Sequence, residues 1–458
     1  MSEKANFSSK IGLVMATVGS AVGLGNVWRF PAETQANGGA AFLIVYVACT
    51  ILLGIPVMLA EFSLGRAGRS DAVGAFRRLS PHTAWWGVGA VSIVASYLIL
   101  TFYMVVAGWT LIYLIQSVDG GLYEGIQTIH GTASADGYFQ QKMNDYICTD
   151  LTPLLATYGM IALNIGVLMW GVQKGIERLS NVLMPVLFVI LLALCCVTLT
   201  LPDAGVGLEY FLKPDFSKIT PAVLVNALGQ TFFSLSLGMG ILITYSAYYP
   251  ADTKLGKTSG IVSLMSLLVA VLMGFIIFPA VTSFGLADHE LRGATLIFVT
   301  LPEVFANLPA PWLWSTLFFV LLLVAALTSC VSIAEVTIAF MQDRLHLSRV
   351  KATLAVLLPL VALSALCSLS FGSLSDFTIF GRTIFDFLDN FATNILLPLV
   401  SIGVCVYVGW FAPKSLLKQE LTNYGSRRSR SHAVVLMLIR YLAPLMIALI
   451  LLSNFVEI

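Results

Sequence analysis

Long apolar runs recur along the chain, separated by short polar stretches. Each run approaches the roughly 20 residues that a helix needs to cross a hydrocarbon core of about 30 Å. They fall at about 10–35, 40–65, 88–116, 153–172, 178–201, 221–249, 259–284, 311–342, 351–371, 381–411 and 433–453, so the pattern predicts eleven transmembrane helices. Ten-residue strands of alternating apolar and polar residues, the mark of a membrane β-barrel, are absent from it. The expected fold class is an all-α polytopic membrane protein, with residues 1–458 forming a single transmembrane domain.

Two of the runs interrupt themselves. The first reads Gly19-Ser-Ala-Val-Gly-Leu-Gly-Asn-Val-Trp-Arg-Phe-Pro31. Glycine costs about 1 kcal/mol per position in a helix relative to alanine, and an arginine at membrane depth is expensive. Irregular backbone at that depth survives only where it is buried in protein or lines a cavity. The stretch therefore predicts a helix unwound over residues 21–25, with a new half-helix from about Asn26. The sixth run carries hydroxyls and two glycines at its centre, Gln230-Thr-Phe-Phe-Ser-Leu-Ser-Leu-Gly-Met-Gly240. Interruptions in the first and sixth spans fit two repeats of five helices, about 10–201 and about 221–411, followed by an additional helix at about 433–453. Five is odd, so the repeats would be inverted, and paired interruptions of this kind point to a secondary-transporter site.

Composition supports the membrane reading: 58% of residues are hydrophobic and 11% charged, against about 25% charged in soluble domains. Most of the 25 lysines and arginines fall in alternate loops, including Lys4, Lys10, Arg66, Arg69, Lys254, Lys257 and the basic stretch 412–432. The positive-inside rule then places the N-terminus in the cytoplasm and the C-terminus outside. Asn26, Trp28, Arg29 and Pro31 fit a cleaved signal peptide poorly. Of seven cysteines, only Cys148 is expected in an exterior loop, so no exterior disulfide within the chain is predicted, and no cysteine pair has zinc-site spacing.

These interrupted segments resemble the neurotransmitter:sodium symporter family, particularly bacterial amino-acid transporters with the leucine-transporter fold. The resemblance lies in Gly19–Pro31 with Asn37-Gly-Gly-Ala-Ala-Phe42, in Gly175-Ile-Glu-Arg178 with Met184-Pro185, in Phe232–Gly240 with Ile243-Thr-Tyr-Ser-Ala-Tyr248, and in Leu327-Thr-Ser329. It runs from about residue 7 to 411.

The resemblance implies an amino-acid substrate whose carboxylate meets backbone around Ala21, Gly23 and Gly25 and the hydroxyl of Tyr103. Its amino group would meet carbonyls near Phe233, Ser234 and Ser236. Ile99, Phe233, Met239, Ser329, Cys330 and Ile333 would surround its side chain, which predicts a hydrophobic or aromatic amino acid. One sodium would take carbonyls of Gly19, Val22 and Ala325 and hydroxyls of Thr328 and Ser329. Taken alone, those hydroxyls better suit bonds back to their own helix; only the resemblance points to sodium. A second sodium would use Ala21, Asn26, Ser234 and Ser266, where Ser266 replaces the family's usual Asn or Asp. Tyr46, Gln230, Ser234 and Ser266 would alternatively hold chloride, so one or two sodium ions and chloride dependence stay open. Arg29 with Asp389 would close the outside over Tyr103 and Phe233; Lys4 with Asp343, near Tyr248, would close the inside. Glu61 and Glu335 are further acids at membrane depth, and Glu33 lies in the outer vestibule without an assigned role.

The function expected is sodium-coupled import of an amino acid by alternating access in a bacterial inner membrane. Proton coupling, or a non-transporting amino-acid sensor of the same fold, is the alternative. A channel needs a ring of filter groups, which two unequal broken helices do not supply. No His-Glu-x-x-His, Gly-x-Ser-x-Gly or phosphate loop marks an enzyme. Expected partners are the small-molecule substrate and the lipid bilayer, with no nucleic acid and a monomer or homodimer.

Overall fold

The structure is a computed structural model that describes residues 7–124, 126, 137–286, 293–426 and 431–453. Among the described residues the secondary structure is helical, apart from one isolated bridge between Ile379 and Arg382. Among the described residues, nine helices are long and apolar enough to cross a membrane: Ala40–Gly68, Trp86–Val118, Leu151–Met169, Val172–Thr198, Leu255–Ser283, Pro311–Leu345, Arg349–Leu369, Ile384–Phe411 and His432–Ser453. Lys10–Ala21 and Gly25–Ala36 make a tenth span, bent by 50° at its break. Pro221–Ser234 and Ile241–Ala247 lie where the sixth span was expected. The eleven-span reading requires counting that pair as one, since neither piece is long enough alone.

Local chemistry sets several helix starts. Ser9 caps Lys10–Ala21 by accepting from the Gly12 N–H. Thr220 caps Pro221–Ser234, whose proline at the first position gives up no needed N–H. Asp71 accepts from Val73 and Gly74 N–H groups at 3.0 and 3.1 Å and starts the short helix Ala72–Leu79.

The third span (Trp86–Val118) and the eighth (Pro311–Leu345) pack along each other at the centre of the bundle. The most apolar window of the eighth span is 78% buried, that of the eleventh (His432–Ser453) only 22%, so the eleventh stands at the edge. Outward-facing Val189, Leu192, Leu264, Leu358 and Leu445 are exposed. Contiguous apolar surface of this kind belongs against lipid rather than water. The inner half of the first span packs against the fifth, seventh and eighth spans.

Candidate functional site

The first break is short. Val22 leaves helical geometry (φ −91°, ψ 91°), and helix resumes at Gly25. It is narrower than the expected 21–25 because Gly25 already belongs to a wide helical turn, Gly25–Arg29. The N–H groups of Gly23 and Gly25 have no acceptor among the described residues, whereas the Leu24 N–H donates to the Tyr103 hydroxyl at 3.1 Å. Glycine is required at both positions. A Cβ on Gly23 would lie 2.5 Å from Ser329 Oγ and 3.0 Å from the Tyr103 hydroxyl, and one on Gly25 would lie 2.6 Å from the Phe233 ring.

The sixth span ends its first half in a Schellman turn. The Leu237 N–H donates to the Phe232 carbonyl and the Ser236 N–H to the Phe233 carbonyl, at 3.0 and 3.2 Å. Ser236 occupies the left-handed position (φ 54°) normally taken by glycine, a strain of roughly 1–3 kcal/mol. Its hydroxyl donates to the Ser20 carbonyl at 2.7 Å, which ties the two broken helices together. Glu61 braces the same turn by accepting from the Gly238 N–H at 2.8 Å.

Between the two breaks lies a chamber of about 20 Å3 lined by Ser20, Ala21, Gly23, Gly25, Ile99, Tyr103, Phe233, Ser234, Ser236, Met239, Ser329 and Ile333. The residues expected around a substrate are thus brought together, except Cys330, which is buried but does not line the chamber. Ser20 was not anticipated; nothing in its type or spacing marks it. Outside the chamber opens a vestibule of about 420 Å3 that includes Arg29, Glu33, Tyr103, Phe233 and Asp389. Tyr103 and Phe233 line both spaces and stand between them.

The cation-type clusters differ. Gly19 faces Thr328, with a hypothetical Cβ 3.5 Å from the Thr328 Cβ. Thr328 bonds back to the carbonyls of Val324 and Ala325 at 3.0 and 3.2 Å. Ser329 Oγ is buried beside Tyr103 with no aligned hydrogen bond. In the second cluster the groups satisfy one another. Asn26 Nδ2 donates to the Ala21 carbonyl and to Ser266 Oγ, both at 3.0 Å, and Asn26 Oδ1 accepts from Ser234. Ser234 Oγ also lies 2.8 Å from both the Tyr46 and Ser266 hydroxyls. Gln230, expected with them around chloride, instead donates its amide to the Gly25 carbonyl at 2.9 Å.

The expected outer pair does not close the outer gate. Arg29 pairs with Glu33, one turn along its own helix, at 3.5 Å, and lies 5.2 Å above the Phe233 ring. Asp389 stands in the same vestibule, but no ion pair within 4 Å joins it to Arg29. Lys4 lies outside the described residues. Asp343 accepts from the Asp71 N–H at 2.8 Å and from the Ser70 hydroxyl at 3.2 Å. Tyr248 donates to Glu335 at 2.9 Å, and Glu335 forms a 2.7 Å ion pair with Arg349. Two further contacts at this end were missed. Phe7 wedges among Tyr245, Tyr248 and Tyr249, with ring centroids 6.0–6.3 Å apart. Glu177 accepts from the backbone and hydroxyls of both Ser8 and Ser9 at 2.7–3.1 Å.

A helical membrane bundle with two broken spans meeting over a small chamber defines a transporter with a binding site at membrane depth. The family follows from comparison: the chain belongs to the sodium:neurotransmitter symporter family, whose model matches residues 4–142 and 141–458. It is 37% identical to the "Uncharacterized sodium-dependent transporter YhdH" of Bacillus subtilis, over 98% of this chain and 97% of that one. It is 29% identical to the bovine "Sodium-dependent dopamine transporter", over 93% of this chain and 66% of that one. Among solved structures, that of MhsT in complex with L-phenylalanine matches with a TM-score of 0.89 and 38% identity, over 99% of this chain and 100% of that one. The chain is thus a multi-pass membrane transporter of a sodium-coupled symporter family, not an enzyme, and its fold is the one its broken spans implied.

Proposed function

We propose that the protein imports a hydrophobic or aromatic L-amino acid together with sodium across a bacterial inner membrane. In this reading the N-terminus is cytoplasmic, the C-terminus lies outside, and the repeats divide at 10–201 and 221–411. One observation carries the substrate class. Two glycine N–H groups without acceptors, at the positive end of a half-helix, stand beside a tyrosine hydroxyl and open on a chamber with apolar walls. Free N–H groups at a helix start suit a carboxylate, and Ile99, Phe233, Met239 and Ile333 suit an apolar side chain. MhsT, similar along its whole length, holds L-phenylalanine.

A space of about 20 Å3 holds roughly one water. An amino acid therefore enters only if Phe233 and Met239 swing aside, with the vestibule as its approach. Sodium is a co-substrate here. Gly19, Val22, Ala325, Thr328 and Ser329 suit it best, because Ser329 has an oxygen to spare and the Asn26 cluster is saturated internally. A cation about 4 Å from a carboxylate gains roughly 4 kcal/mol at an effective dielectric of 20, which couples the two ligands. One sodium crossing 100 mV gains about 2.3 kcal/mol, and a tenfold gradient adds about 1.4 kcal/mol. Together these support roughly 500-fold accumulation.

Equilibrium binding of labelled amino acids to the purified protein tests the site. Phenylalanine, tryptophan or leucine should bind in sodium and not in potassium. Preferential binding of a charged or strongly polar amino acid would overturn the substrate class.

A further inference from the structure

A second cavity, far from the chamber, lies where the first span begins and the seventh begins. It encloses about 360 Å3 and is lined by Lys10, Ile11, Leu13, Val14, Met15, Asp252, Thr253, Lys254, Lys257, Thr258 and Ile261. Its composition is divided. One wall is aliphatic, and Ile11 is 69% exposed, which only an apolar neighbour would favour. The mouth carries three lysines against one aspartate. Lys10 is committed to Asp252 at 2.6 Å. Lys254 and Lys257 make no ion pair or hydrogen bond with any described residue.

Three further features sit at that mouth. The helix Leu255–Ser283 begins at Lys254 with no side-chain cap and no acidic residue in its first turn, so its first N–H groups and positive dipole end face outward unopposed. Gly256 leaves that turn open: a Cβ there would meet nothing within 4 Å. Thr253, only 6% exposed, lines the cavity, and its Oγ1 has no hydrogen-bond partner.

We propose that this cavity binds an anionic phospholipid. The phosphate sits between Lys254 and Lys257 over the uncapped start of the seventh span. An acyl chain lies along Ile11, Val14, Met15 and Ile261. The charge excess selects an anion, and the aliphatic wall selects one that carries a hydrocarbon tail rather than a free phosphate. Leu255–Ser283 and Lys10–Ala21 are both parts of membrane spans, so the mouth lies at the headgroup level of one leaflet. Such a lipid would bridge the inner half of the first span to the seventh and favour their closed arrangement. The site is independent of which amino acid is transported.

Native mass spectrometry of the full-length protein tests it, with dioleoyl phosphatidylglycerol titrated against dioleoyl phosphatidylcholine in mixed micelles. Each lysine near a charged lipid contributes roughly fivefold. The K254Q/K257Q variant should therefore retain phosphatidylglycerol about 25-fold more weakly, while K254R/K257R keeps it. K414Q/K418Q, with the same charge change on another loop, serves as the control. Millimolar inorganic phosphate should not displace the lipid. Equal losses in the lysine variant and the control, equal retention of phosphatidylcholine, or displacement by phosphate would each overturn the proposal. Melting temperatures separate misfolding from lost binding, and the arginine variant keeps the test decisive if the glutamine variant unfolds.

Discussion

Glu177 is placed to hold the inner end of the first span shut, and Glu177→Gln measures how firmly. Its Oε1 accepts from the Ser8 hydroxyl, the Ser9 N–H and the Ser9 hydroxyl at 2.7, 3.1 and 2.9 Å; Oε2 accepts from the Ser8 N–H at 2.8 Å. The side chain is 2% exposed. In the variant the amide oxygen can keep the three Oε1 contacts, but the amide nitrogen then faces the Ser8 N–H, donor against donor. A hydrogen bond to a charged group contributes about 1.5–3 kcal/mol, and an unsatisfied buried donor costs about 1–3 kcal/mol. Allowing for relaxation, the closed arrangement loses roughly 3 kcal/mol, which raises the population with this end undocked about 150-fold. Hydrogen exchange read by mass spectrometry reports that population directly. Amides in 10–21 should exchange about 150-fold faster, while those in the middle of Trp86–Val118 keep their wild-type rates. Gly12→Ala should act in the same direction, because a Cβ there would lie 1.9 Å from Glu177 Oε1. Exchange in 10–21 within twofold of wild type in Glu177→Gln would refute the latch and leave Phe7 packing as what holds this end.

Three other expectations follow from the geometry. Gly25→Ala drives a Cβ into the Phe233 ring, an overpacking worth roughly 1–3 kcal/mol. The ring can yield only toward the chamber or the vestibule, so amino-acid binding should fall more than tenfold while circular dichroism keeps its helical signal. Ser329→Ala removes a hydroxyl that makes no aligned hydrogen bond; the melting temperature without sodium should hold, but half-saturation by sodium in a binding assay should rise about tenfold, for one ligand oxygen worth about 1.4 kcal/mol. Arg349→Met strips the buried Glu335 of its 2.7 Å ion-pair partner. That should destabilise the protein by about 3–5 kcal/mol in thermal unfolding, with partial recovery in the Glu335→Gln/Arg349→Met double variant.

The elements that break a rule were the ones the sequence made readable. Three glycines and an arginine inside an apolar run have no reason to exist in a plain membrane helix, and the first span does break there. Hydroxyls and two glycines marked the sixth break equally well. Rotation about a helix axis was harder to read. Ser329 and Ile333 are four apart and share a face, whereas Cys330 is turned by about 100° and does not line the chamber. Polar partnerships across the bundle were harder still. An acid in a charged stretch between spans carries no label for its partner, so Glu177, beside Arg178, gave no sign of Ser8 and Ser9. Arg29 took Glu33 because a residue one turn away costs less entropy to reach than one on another helix. The break itself is shorter than its glycines suggested, because a wide helical turn reabsorbs Gly25 and leaves only two N–H groups exposed to a ligand.

Uptake is the direct measure of coupled transport. The purified protein would be reconstituted in proteoliposomes and given a mixed panel of labelled amino acids, under an inward sodium gradient and in a matched potassium control. Apolar or aromatic amino acids should accumulate above their external concentration, with sodium only. Equal flux in both conditions, or sodium-dependent binding without any uptake, would contradict it.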